Sequence, residues 1–299
     1  MPTTMPSAAS PSIAPAVRLG VWIRWDATDA PAPLVVDVSR SGREYPHEFR
    51  SPLPFTVVHD NASMYVEELF GHTPAAGGTL LYACFPNTYV DVNRDELDLD
   101  PAVIDGEYPV PLAPTPIALR GLGLIKTLSR YGEPMQEKPL TPAEVEERLE
   151  RFHRPYHEEL LRIVAATHRR DGYVLQLSCH CMSAVGAPTH GDAGRARADF
   201  CISDLNGITA SPRSMEFVVE TLRSFGWSVS INDPYLGNEL IRRHGAPARG
   251  IDSIQIEVNK KNFMDVKTFR RNDGFERVRA DLSRLLDLAA GEARRRAAG

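Results

Sequence analysis

A long capped helix that runs straight into a short apolar strand leaves few folds open to this chain. Leu140-Thr141-Pro142-Ala143-Glu144 is a strong helix start. Thr141 is the N-cap, Pro142 sits at the first helical position, and Glu144 completes a capping box. The helix is predicted to run to about Arg170, with Leu149, Phe152, Tyr156, Leu160, Ile163 and Val164 as its inner stripe. Pro155 lies inside this span and predicts a kink or break. Tyr173 to Leu177 then reads as a buried strand, ended by a turn at Ser178-Cys179-His180-Cys181-Met182-Ser183. Thiol, imidazole and hydroxyl groups at the C-terminal end of a buried strand are where open α/β sheets put their chemistry.

The rest of the chain repeats this alternation. Strands are predicted at 18–25, 34–38, 79–85, 199–203, 227–231 and 253–258, and further helices at about 211–225, 238–244 and 272–297; residues 58–70 read as a loop into a helix, with Asn61 or Ser63 as N-cap. Such alternation favours a mixed, mostly parallel sheet with helices on both sides, a three-layer αβα fold. Five strand ends carry polar groups: Ser39/Arg40, Asn93/Arg94, Cys179/His180/Cys181, Asn232 and Glu257. Gathered at one edge they would form one cleft. Arg94 is a candidate anion clamp, because a guanidinium matches a carboxylate in two hydrogen bonds. In Ser-Ile-Gln-Ile-Glu-Val (253–258), Gln255 and Glu257 project from one face, as a site wall or a solvated sheet face. His153 and His157 are four apart on a helix, the spacing of a metal pair, but Pro155 between them disturbs it.

Composition narrows the function classes. The net charge is −5, which gives no basic balance for nucleic acid or an anionic membrane. No apolar run approaches the roughly 20 residues a membrane span needs. Residues 1–17 hold no Lys or Arg and no apolar core of a secretory signal, so a disordered tail, a single domain over 18–299 and a cytoplasmic location are expected. Four cysteines do not make a disulfide framework, and Cys179 is not expected to pair with Cys181.

Nine segments, in order, resemble the N-formylglutamate amidohydrolase (formylglutamate deformylase) family. They are DVSRSGREYP (37–46), YVEELF (65–70), YVDVNRDELDLDP (89–101), RPYHEEL (154–160), SCHCMS (178–183), DFCISDLNGITASP (199–212), NDPYLG (232–237), RRHGAP (242–247) and IQIEVNKKNFMD (254–265). The resemblance implies an αβα fold akin to zinc carboxypeptidases and aspartoacylase. It also implies a zinc-activated water that cleaves the formyl amide of an acidic amino acid. Its metal is expected from a His in a Pro-His-Ser-Gly turn, an acidic residue before the Tyr-Val-Asp-Glu-Leu-Phe-like helix, and the His of an Asp-Cys-His-Ser-Met turn.

This sequence departs at those places. Arg40 stands for the first His, Ser63 for the acidic ligand, and only His180 matches. A guanidinium stays protonated and cannot ligate zinc. Ser178 replaces the usual Asp, Cys181 the usual Ser, Asn87 a common Arg, Asn238 a Gly and Lys260 an Arg. The matching positions assign Arg94 to a substrate carboxylate, Glu257 to general acid/base work, and Asn232 and Tyr235 to a substrate-lining loop. The expectation is therefore an amidohydrolase-like enzyme acting on a C–N bond of a small, carboxylate-bearing amino-acid derivative, its zinc site lost or rebuilt. The candidate catalytic residues are His180, Glu257 and Cys181. Arg40, Arg94, Asn232, Tyr235, Ser63 and Ser178 are the candidate substrate contacts. No cofactor is expected; a zinc would have His180 as its one matching ligand, rebuilt with Cys179 or Cys181, or with His59 and Asp60. Two alternatives are a metal-free biosynthetic enzyme with a Cys181/His180 or Cys179/His180 pair and a non-catalytic binding protein for an acidic small molecule.

Overall fold

The computed structural model describes residues 14–299. The disordered tail expected over 1–17 falls outside the described residues up to residue 13. Beyond it, β1 (Ala16–Arg18) and β2 (Trp22–Trp25) form an antiparallel hairpin where one strand is predicted. Gly20 at φ +72° makes the turn, and the Val21 amide closes it on the Arg18 carbonyl.

Next come β3 (Leu34–Val38), the short helices α1 (Phe55–His59) and α2 (Val66–Leu69), and β4 (Thr79–Ala83). The helix predicted with Asn61 or Ser63 as N-cap is only this one turn, preceded by Tyr65 at φ +68°. The capping box at Thr141 opens α3 (Pro142–Arg148), which passes through a π-turn at Leu149–His153 into α4 (Arg154–Asp171). The disturbance predicted near Pro155 is this π-turn, which absorbs the missing amide without ending the helix. Then follow β5 (Val174–Met182), β6 (Phe200–Ser203), α5 (Pro212–Ser224), β7 (Val229–Ile231), α6 (Glu239–His244), β8 (Ile251–Asn259), the small hairpin β9 (Met264–Asp265) with β10 (Arg270–Arg271), and α7 (Phe275–Ala297).

The eight-stranded sheet has the order β1-β2-β4-β3-β5-β8-β6-β7. β4, β3, β5 and β8 run parallel, as do β6 and β7, while β1–β2, β2–β4 and β8–β6 are antiparallel. Helices α5 and α7 cover one face, packing Val218, Leu222, Leu282 and Leu286 on Leu175, Leu177, Ile254 and Ile256. Helices α3 and α4 and the π-turn between them cover the other, packing Val145, Leu149, Tyr156 and Leu160 on Val35, Leu81 and Val174. This is the αβα architecture that the alternation predicts.

One difference matters for the site. Ser178 to Met182 is not a turn; β5 runs through it to Met182. Side chains therefore alternate: Cys179 and Cys181 share the α5/α7 side, and Ser178 and His180 share the other. All four cysteines are free. In register, Asp37 of β3 neighbours Ser178, Ser178 neighbours Gln255, and His180 neighbours Glu257. Asp37, Gln176, Ser178, His180, Ser253, Gln255 and Glu257 so make a polar stripe on one face of the three central strands, every one of them buried.

Candidate active site

A cavity of about 780 Å³ opens above the C-terminal ends of β3, β5 and β8. Arg40, Ser63, Asn93, Arg94, Lys126, Cys181, Tyr235, Gln255, Glu257 and Lys260 are among the residues that line it. Seven basic side chains face four acidic ones around the wall, although the chain as a whole is acidic. The cavity is thus built for an anion.

Its floor is an ion pair that the sequence reading did not anticipate. Arg40 Nε donates to Asp91 Oδ1 at 3.0 Å, and Nη2 lies 2.8 Å from Oδ2. Lys126 Nζ stands 3.8 Å from the same Oδ2. Burial alone would raise the Asp91 pKa, but Arg40, Lys126 and Arg94 outweigh it and hold this carboxylate well below its usual range. Burial, helped by the charges of Arg40 and Arg94, lowers the Lys126 pKa to about 7 despite Asp91.

Glu257 stands beside this cluster. Burial raises its pKa to about 7, and Arg40, Arg197 and Arg94 limit the rise. Its Oε1 accepts from Gln255 Nε2 at 3.1 Å, and Gln255 Oε1 accepts from Asn93 Nδ2 at 3.2 Å. Asn93 Oδ1 in turn accepts from the Leu240 amide at the start of α6. A carboxyl group with a pKa near neutrality and a fixed orientation suits general acid/base work.

His180 lies beneath the floor, fully buried, rather than on the cavity wall. Its Nε2 is 3.1 Å from Ser178 Oγ, whose proton goes to Asp37 Oδ1 at 3.0 Å. Nε2 also lies 3.5 Å from Asn93 Nδ2, and Nδ1 has no partner among the described residues. Burial and then Arg40 push the His180 pKa well down, so the ring is neutral. Asp37 also accepts from Gln176, and burial raises its pKa to about 7. Ser178 is therefore a bridge under the site and not a group on the cavity surface.

The other expected residues divide. Arg94 donates to the Leu122 and Asn93 carbonyls through Nε and Nη1. Its segment is pinned from α4: His157 Nε2 donates to the Val92 carbonyl at 2.8 Å and His153 Nε2 to the Arg94 carbonyl at 2.9 Å. The spacing of these two histidines so serves the loop and not a metal. His157→Leu is expected to cost about 2 kcal/mol by leaving the Val92 carbonyl unpaired, read by denaturant unfolding. The Ser63 amide donates to the Arg40 carbonyl at 2.8 Å, and Ser63 Oγ accepts from the Cys181 amide at 3.4 Å. Tyr235 lines the cavity with Arg197 over its ring. Asn232 does not line it; its amide group is spent on Asp204. Asp91, Lys126, Arg130 and Asp37 escaped the sequence reading, although an acid between Val90 and Val92 in an apolar stretch was a signal for Asp91.

The family profile described as N-formylglutamate amidohydrolase matches residues 32–264. The chain belongs to the N-formylglutamate amidohydrolase family. It is similar to the crystal structure of N-formylglutamate amidohydrolase from Ralstonia eutropha JMP134, with 34% identity, 93% of this chain and 99% of that one covered, and a TM-score of 0.86. It is 24% identical over 206 residues to N-formylglutamate deformylase of Pseudomonas putida, covering 67% of this chain and 70% of that protein. The gene product Atu2144 from Agrobacterium tumefaciens shares the fold at 16% identity, with 91% and 94% of the chains covered and a TM-score of 0.64. N-formylglutamate amidohydrolases are hydrolases of a C–N bond, and this chain has their fold.

The side chains here do not fit a zinc ion of the kind the family resemblance implies. Arg40, Ser63 and His180 do come together, but only His180 is a zinc ligand type. Among the described residues, no group of three or more His, Cys, Asp and Glu side chains is placed to hold a metal. The rebuilt sets fail individually. His59 Nδ1 is 3.0 Å from the Tyr45 hydroxyl, and Asp60 is taken by Arg130, Tyr131 and Lys260. Cys179 and Cys181 both lie on the α5/α7 side of β5, opposite to His180. A divalent cation would also meet Arg40, Arg94 and Lys126 at close range.

Proposed function

We propose that this chain is an N-formylglutamate amidohydrolase-like hydrolase that cleaves the amide of a small, anionic N-acyl amino acid without a resident metal ion. The observation that carries this reading is the placement of Glu257, with its pKa raised to about 7, beside the fixed charge of Arg40 in an electropositive cavity.

In this reading Arg94 holds the substrate carboxylate. Glu257 takes a proton from water as the water oxygen bonds to the acyl carbon. The negative charge that develops on the acyl oxygen faces Arg40, a pre-oriented donor in a water-poor site. The C–N bond then breaks, and Glu257 returns its proton to the leaving nitrogen. Asp91 keeps the Arg40 guanidinium in place and charged, and the Asp37–Ser178–His180 chain supports the floor under it.

The test is release of formate from N-formyl-L-glutamate by the purified protein, with metal analysis of the same sample. Expected is turnover that survives chelators, with no stoichiometric zinc. Tight stoichiometric zinc whose removal stops turnover would overturn the metal-free part. Thermal stabilisation by the ligand with no formate release would instead favour a binding protein.

A thiol route has less support. Burial raises the pKa of the Cys181 thiol, and His180 projects from the opposite side of β5. Nucleophilic cysteines need the reverse, a lowered pKa and an adjacent base. Cys181→Ser is accordingly expected to keep formate release within about threefold of the parent, where loss of a nucleophile would cost orders of magnitude.

A further inference from the structure

Lys126 has no role in amide cleavage, yet it is built into the cavity wall. Its side chain is nearly buried, and Nζ makes no hydrogen bond to the described residues. The acid nearest to it, Asp91, is 3.8 Å away and already engaged by Arg40. Lys260, the other lysine of the wall, is occupied differently: its Nζ donates to the Asp60 carbonyl at 2.8 Å and pairs with the Asp60 carboxylate. Arg40 and Arg94 line the same cavity as Lys126, and their charges act on its amine. An amine desolvated next to other cations is the setting in which lysine becomes a nucleophile.

We propose that the Lys126 amine condenses with the carbonyl of a 2-oxo acid, whose carboxylate is held by Arg40 and Arg94. The amine lone pair forms the C–N bond while the carbonyl π pair moves to oxygen, which takes one amine proton. The resulting hydroxyl leaves as water with the second amine proton, and an imine remains. No oxidant, reductant or cofactor is consumed. A large fraction of the amine is unprotonated near neutral pH, because burial and the charges of Arg40 and Arg94 lower its pKa to about 7. This site chemistry does not depend on the amide-cleavage reading, and its test measures mass rather than formate.

The experiment incubates the full chain with 2-oxoglutarate and sodium cyanoborohydride, which reduces an imine to a stable secondary amine. Intact mass and peptide mapping follow. Expected is one adduct on Lys126, suppressed by excess glutarate and absent with butanone, which has the carbonyl but no carboxylate. Lys126→Arg is expected to keep the positive charge and lose the adduct. No adduct, or labelling spread over other lysines with Lys126 unmodified, would overturn the proposal. Should Lys126→Arg fail to fold, the peptide map of the parent decides between Lys126 and Lys260.

Discussion

Glu257→Gln is expected to abolish formate release while making the protein more stable at pH 8. The activity side follows from removing the one cavity carboxyl with a pKa near neutrality; a positioned acid/base contributes about 10²–10⁴ in rate. The stability side follows from linkage. The Glu257 pKa is raised from 4.5 to about 7 in the folded chain. A raised folded pKa means that folded protein binds the proton more tightly, so the stabilisation is complete below pH 4.5 and is lost as pH rises through about 7. Above that, the buried carboxylate costs on the order of 3 kcal/mol, which glutamine avoids. Melting curves should show a gain of several degrees for the variant at pH 8, about 2–4 °C per kcal/mol in a domain of this size. Almost none is expected at pH 4, where the parent carries a neutral acid of the same shape. Asp37, raised to about 7, acts in the same direction, whereas Lys126, lowered from 10.5 to about 7, loses its contribution as pH falls through 7. Comparing each variant with its parent at both pH values separates Glu257 from these two. A gain independent of pH, or retained turnover, would remove Glu257 from the proton-transfer role.

What could be read from the sequence was what strand and helix periodicity encodes. The alternation of Ile254, Ile256 and Val258 with Gln255 and Glu257 placed both polar residues on one face, and the structure has them on the cavity wall. The capping box at Thr141 and the inner stripe of the following helix are there as read. What was hidden lies in irregular segments without a period. Asp91 and Lys126 reach Arg40 from loops, and Asp91 is 51 residues from Arg40 along the chain. Nothing local in Gly-Leu-Ile-Lys (123–126) says that its lysine is buried near Asp91. His180 shows the opposite failure. It was the most conspicuous residue in the sequence, and it lies under the floor because β5 continues past the point where its polar residues suggest a turn.

Arg40 is the substitution on which the metal-free reading turns, and reversing it should bring a metal back. Arg40→Ala alone is a poor test. It leaves Asp91 buried without its hydrogen-bonded partner, and breaking such a buried pair costs about 3–5 kcal/mol. Arg40→His combined with Ser63→Glu removes a positive charge, adds a negative one and supplies two ligand types. Hydrogen bonds already hold these backbone segments together: the Ser63 amide to the Arg40 carbonyl at 2.8 Å, and the Cys181 amide to Ser63 Oγ at 3.4 Å. Asp91 would then face an imidazole instead of a guanidinium. A carboxylate behind a histidine is the arrangement that orients a zinc ligand and raises its basicity. The third ligand is His180, neutral and with Nδ1 unpartnered. The double variant is therefore expected to take up about one equivalent of zinc, with release of protons as the ligands deprotonate, while the parent takes up none. Calorimetric titration in two buffers of different ionisation enthalpy reads both quantities. Stoichiometric zinc in the parent would show that the guanidinium does not occupy the metal's place. A folded double variant that takes up no zinc would show that the scaffold no longer brings the three positions to a common point.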